Sequence, residues 1–104
     1  MKKKSFYLAK VSFKTNNFSK SANMSEAVLT SSLKSSLSKN ELSETVIYYI
    51  ESLNKLSDRT RFKKAAKALV KDLKQIKSDK VFRSVYERVA YLYIEFMAST
   101  SGTN

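Results

Sequence analysis

Across 104 residues there is no proline, and the single glycine is Gly102. A chain so poor in breakers has few places for the tight turns on which hairpins depend, and it suits helices joined by short polar loops. The spacing of apolar residues agrees over most of the length. In SKNELSETVIYYIESLNKL, Ser38 reads as an N-cap with Glu41 three residues later, the pattern of a capping box. Leu42, Val46, Tyr49, Leu53 and Leu56 then recur on one helical face. Ser57 reads as the start of the next helix, with Asp58 just inside it to favour the helix dipole. Phe62, Ala66, Leu69, Leu73 and Ile76 form the apolar face of that helix. Ser78 and Asp79 repeat the start signal ahead of a last helix that carries Phe82, Val85, Val89, Leu92 and Phe96.

The N-terminal part is less regular. Over residues 6–14, Tyr7, Ala9, Val11 and Phe13 alternate with Lys10, Ser12 and Lys14, which suggests a short strand or an extended arm. Phe6, Ala9 and Phe13 also fit a helix. A lone strand needs a pairing partner, and residues 17–24 supply at most a weak one. Ser25 reads as the N-cap of a helix running to about Ser36 through Val28, Leu29 and Leu33, towards Leu37. The serines at 31, 32, 35 and 36 lower its propensity.

The expected architecture is therefore all-α: a small bundle of three strong helices plus one weaker helix, with a short strand or arm at the N-terminus. The expected division is a basic segment over residues 1–24, the helical bundle over 25–98 and a polar tail over 99–104. A composition of 42% hydrophobic and 28% charged residues fits one globular domain with a modest core.

The absences narrow the chemistry. Cys and His are both missing, which removes disulfides, thiolate chemistry, the usual zinc ligands and the commonest general base. With one glycine, neither GxxxxGK[ST] nor GxGxxG can be written. Carboxylate pairs such as Glu41/Glu44 lie at helix-surface spacing and read as capping and solvation. The expectation is a protein that is not an enzyme, with no cofactor, no metal and no small-molecule substrate. No apolar run approaches the ~20 residues of a membrane span. The opening MKKKSFYLAKVSF is interrupted by Lys10 and Ser12, unlike a signal peptide, so a cytoplasmic location is expected.

What remains is charge. The formal net charge is +11, and eight of the twenty basic residues lie in RTRFKKAAKALVKDLKQIK: Arg59, Arg61, Lys63, Lys64, Lys67, Lys71, Lys74 and Lys77. At about 100° per residue, Arg59, Lys63, Lys67, Lys71, Lys74 and Lys77 share one ~120° stripe beside the apolar one. The stripe runs for ~27 Å at ~1.5 Å per residue. From Arg59 to Arg88 there are eleven basic residues and three acidic ones, a local excess of eight. A face that serves only solubility mixes signs at spacings of three and four. Here Lys63, Lys67 and Lys71 follow one another and repel. Glu41, Glu44 and Glu51 of the preceding helix are the nearest counter-charge, and they are too few to cancel the ridge.

This pattern points to nucleic acid, DNA or RNA, as the partner. Arg59 and Arg61 would grip phosphate with a planar fork, and Arg83 and Arg88 would extend the surface. No helix-turn-helix signature is present, and Gln75 is the only base-reading amide on the basic helix, so backbone binding without base readout is expected. The lysines of MKKK, with Lys10, Lys14 and Lys20, form a second basic source that reads as a solubilising end or a clamping arm.

Six Tyr and six Phe complete the picture. Tyr48 and Tyr49 are adjacent and cannot both face one core. Tyr86, Tyr91 and Tyr93 spread around a last helix that is apolar on more than half its circumference. With Met97 they make an expected docking surface for a protein partner or a second copy. The functional expectation is a small basic helical protein that binds nucleic-acid backbone without sequence preference, as an accessory subunit of a larger nucleoprotein complex. The alternative is a helical interaction or inhibitor protein, such as an immunity protein or a phage or plasmid factor, whose basic face covers an acidic partner.

Overall fold

The structure, a computed structural model, describes residues 3–31 and 35–101. The described chain is all-α. Its five helices are α1 (Lys4–Lys14), α2 (Phe18–Thr30), α3 (Lys39–Leu56), α4 (Arg59–Lys74) and α5 (Lys80–Ser101). Met1 and Lys2, the part of the weak-helix pattern at residues 32–34, and the tail from Gly102 onward lie outside the described residues.

The expected strand or arm at residues 6–14 is helix α1, and no strand occurs among the described residues. The alternation there is incidental. Phe6, Ala9 and Phe13, spaced by three and four, form the face that packs inward, with Phe6 3% and Ala9 0% exposed, while Tyr7 and Val11 from the alternating set point outward. Residues 17–24, read as a weak partner strand, open α2, and the Asn17 side chain accepts a hydrogen bond from the Lys20 N–H. The boundary expected between Met24 and Ser25 therefore falls inside a helix. Ser25 caps nothing: it is fully buried in mid-helix, and α2 stops at Thr30.

Ser21, Ala22 and Ser25 give α2 a narrow buried face, and Ser43, Thr45 and Ser52 are buried on α3, along which α2 packs. The hydroxyls of Ser21, Ser25, Ser43 and Ser52 have no hydrogen-bond partner among the described residues. These serines are small side chains, and buried small side chains let neighbouring helices lie close.

A chain nearly free of glycine makes its left-handed turns from other residues. Asn16 (φ 63°) turns α1 into α2, and Ser57 (φ 57°) closes α3. Asn is among the residues that visit this region most readily, and Ser accepts a cost there. Ser57 is thus the end of α3 rather than the start of α4. Asp58 caps α4, its carboxylate accepting from the Arg61 N–H at 3.2 Å. The other two start signals hold. The Glu41 N–H donates to Ser38 Oγ at 3.1 Å and the Ser38 N–H donates to Glu41 Oε1 at 2.9 Å, closing the capping box. The Val81 N–H donates to Asp79 Oδ1 at 2.9 Å at the start of α5.

Helix α3 is central and buried on two flanks. On one side Val46, Ile50 and Leu53 meet Phe62, Ala66 and Leu73 of α4 and Phe82, Val85, Val89 and Leu92 of α5. On the other, Tyr48 packs with Phe6, Ala9 and Val28 in a second cluster, its ring 5.0 Å from that of Phe13. The adjacent tyrosines are reconciled by these two clusters: Tyr48 belongs to the α1–α2 side and half-buried Tyr49 packs on the α4–α5 side. Helix α4 ends at Lys74, before the expected Lys77, so Ile76 and Lys77 stand in the turn to α5 and Ile76 is exposed. Helix α5, expected to stop near Ala98, continues to Ser101.

Candidate nucleic-acid interface

The inward face of α4 is set by Phe62, Ala65, Ala66 and Leu73, all buried against α3 and α5. That registration fixes the outward face. Arg59, Lys63, Lys64, Lys67, Lys71 and Lys74 are all exposed.

The acids that were the nearest source of counter-charge are occupied elsewhere. Glu41 pairs with Lys3 at 3.1 Å, Glu44 with Lys10 at 3.8 Å and Glu51 with Arg88 at 2.7 Å. Asp79 pairs with Lys39 at 2.6 Å. Among the described residues, Lys63, Lys64, Lys67, Lys71 and Lys74 have no ion-pair partner. The carboxylates of α3 tie down α1 and α5 and leave the ridge of α4 uncompensated.

The arginines divide differently from the expectation. Arg61 turns toward α2, with Nη2 3.5 Å from Glu26 Oε1 and 3.4 Å from Asn23 Oδ1. Glu26 also accepts from the Tyr49 hydroxyl at 2.9 Å, so one carboxylate links α2, α3 and α4. Burial, then that hydrogen bond, push the Tyr49 phenol up to about 12. Arg88 donates through Nε and Nη2 to Glu51, at 2.9 and 2.7 Å, which commits it to α3. Arg83 Nε donates to the Lys77 carbonyl at 3.1 Å and braces the α4–α5 turn. Arg59 stays with the ridge and places its guanidinium 4.6 Å from the centroid of the Phe96 ring. At the other end, Lys77 Nζ lies 5.2 Å from the centroid of Tyr86.

Around Arg59 the surface dips into an open depression of about 520 Å³, lined by Arg59, Thr60, Lys63, Lys64, Lys67 and Phe96. A second concavity, about 400 Å³, lies between α2, α3 and α4; Leu29, Leu42, Val46, Leu69 and Phe82 line it, with Arg61 and Lys64 among its polar residues. Among the described residues no three carboxylates come together as a metal site requires.

The expected docking surface is only partly presented. Tyr86 and Tyr93 pack against the main core. Tyr91 (56% exposed) and Met97 (39%) do face outward, joined by Ile94 (67%). Ile94 was missed, although its place three residues after Tyr91 puts it on the same face. Glu95 accepts a hydrogen bond from the Tyr91 phenol and pushes its pKa up. Tyr7 and Val11 of α1 form a further exposed apolar pair that the strand reading concealed. No described helix is long and apolar enough to cross a membrane. Comparison with protein-family models, with characterised proteins and with solved structures finds no match for this chain.

Proposed function

We propose that the protein binds the sugar–phosphate backbone of nucleic acid without reading sequence, through the outer face of α4, as an accessory subunit of a larger nucleoprotein complex. The observation that supports this most is the combination of five unpaired lysines on one exposed helix face with carboxylates that are spent on other helices. Lysines at four-residue spacing repel one another. Phosphates settling between them relieve that repulsion and release counterions. Arg59, Lys63, Lys64, Lys67, Lys71 and Lys74 are the main contacts. Arg61, Arg83, Arg88 and Lys77 lie at the margins, where each also has a structural partner. Tyr91, Ile94 and Met97 on α5 supply the docking face toward the rest of the complex.

The test is reversal of Lys63, Lys67 and Lys71 to Glu. These side chains are exposed and hold no partner, so helical content and melting temperature should stay close to wild type. Binding to labelled DNA or RNA at low salt should fall by more than about tenfold. Unchanged binding would remove α4 from the interface.

A second reading is supported by the exposed apolar residues of α5: a protein partner with an acidic surface, covered by the same ridge. Such a partner would co-purify in fixed stoichiometry after nuclease treatment, whereas a partner bridged by nucleic acid would be lost.

A further inference from the structure

The ridge of α4 is bracketed by aromatic rings from α5. At its N-terminal end Phe96 rises beside Phe62, ring centroids 5.2 Å apart, and carries Arg59 over its face at 4.6 Å. At its C-terminal end Tyr86 carries Lys77 at 5.2 Å. Phe96 and Tyr86 are both half-buried, and Phe96 lines the cationic depression with Thr60, Lys63, Lys64 and Lys67. Ten residues of helix separate the two rings, ~15 Å along α5. The lysines of α4 lie between them.

Binding a duplex backbone needs cations alone, because the bases are stacked inside the helix and phosphate contacts do the positioning. Rings set among phosphate-binding lysines serve a strand whose bases are free to stack on them, and a planar guanidinium serves in the same way. We propose that the protein prefers single-stranded nucleic acid to duplex. One base stacks on the Arg59–Phe96 pair and another on Tyr86, and the intervening phosphates lie on Lys63, Lys67, Lys71 and Lys74. This rests on the backbone-binding reading above and names the form of nucleic acid it takes.

The experiment compares a labelled oligothymidylate of about 12 nucleotides with a duplex of the same length, a size within the footprint of known single-strand binders. Both are titrated with the intact protein at one low salt concentration. The single strand should bind at least about tenfold more tightly, and Phe96→Leu and Tyr86→Leu should each weaken single-strand binding about fivefold or more, as loss of one stacked base does. Duplex binding and the salt slope should change little in both variants. Arg59→Lys, which keeps the cation and removes only the planar guanidinium that stacks, repeats the test from the other member of the pair, and thermal melts establish that each variant is folded. Equal binding of strand and duplex, or single-strand binding unmoved in folded variants, overturns the stacking proposal while leaving backbone binding in place. No binding of either form overturns both.

Discussion

Ser57 and Asp58 divide the turn from α3 to α4 between them, the first in a left-handed conformation and the second as an N-cap. Each role has a measurable cost. Asp58→Ala removes the acceptor for the Arg61 N–H and should lower stability by about 1 kcal/mol. Ser57→Gly relieves the Cβ clash of a positive φ and should raise it by up to about 1 kcal/mol. Urea melts of the two variants check both signs. The buried serines make a third case: Ser25→Ala keeps the narrow face of α2, removes an unsatisfied hydroxyl and improves helix propensity, so a gain of about 1 kcal/mol is expected. A loss in the same melts would show that the hydroxyl has a partner. At this scale the sequence marks which residues are special but not what each does. Ser and Asp both cap well, so the α3–α4 junction reads one residue early, and a positive φ at Ser57 leaves no trace in composition. Ser25 has the chemistry of a cap, and only its burial in the middle of α2 shows that it acts as a small core residue.

Helix α1 carries the largest correction at the scale of elements. Four residues spaced by two, Tyr7, Ala9, Val11 and Phe13, look like a strand, and residues spaced by three and four look like a helix; in FYLAKVSFK both patterns are written at once. Packing decides, because α2 and α3 present an apolar cleft for Phe6 and Ala9 while no strand among the described residues offers itself for pairing. Phe6→Ala should therefore cost about 3–5 kcal/mol, the range for emptying a buried aromatic site. If the N-terminal segment were only an arm, thermal melts would not move. The longer helices were legible because their spacing runs over several turns and their capping signals agree with it, as at Ser38–Glu41 and Asp79. Those same caps predict an acid response. The Ser38 N–H and Lys3 hold the Glu41 carboxyl below its usual range, and Lys39 and the Val81 N–H do the same for Asp79. A depressed carboxyl stabilises the fold above its unfolded pKa, and that contribution is lost as pH falls through the lower folded value. Melting temperature should hold from neutrality to about pH 5 and fall below about pH 4. Glu41→Gln and Asp79→Asn should each flatten that fall.

On the whole molecule, a net charge of +11 sits on a body of 48 × 32 × 20 Å, and the arrangement of charge matters more than its amount. The lysine ridge is readable from helical geometry alone, since any helix through Phe62, Ala66 and Leu73 must turn Lys63, Lys67 and Lys71 outward. What surrounds the ridge is not readable, because it depends on which helix packs where. The pairing of Arg88 with Glu51, the turning of Arg61 to Glu26 and the rings of Phe96 and Tyr86 at the ends of α4 all follow from tertiary contacts between distant segments. Everything proposed for the molecule rests on phosphates lying along this ridge. The most direct measurement is fluorescence anisotropy of labelled DNA and RNA across a salt series, for the wild type and for the Lys63, Lys67 and Lys71 to Glu variant. For the wild type log K should fall linearly with log salt, with a slope corresponding to roughly four to six phosphates, and the variant should lose both affinity and slope. Absence of binding at low salt, or a slope that the three reversals leave unchanged, would contradict phosphate binding along the ridge.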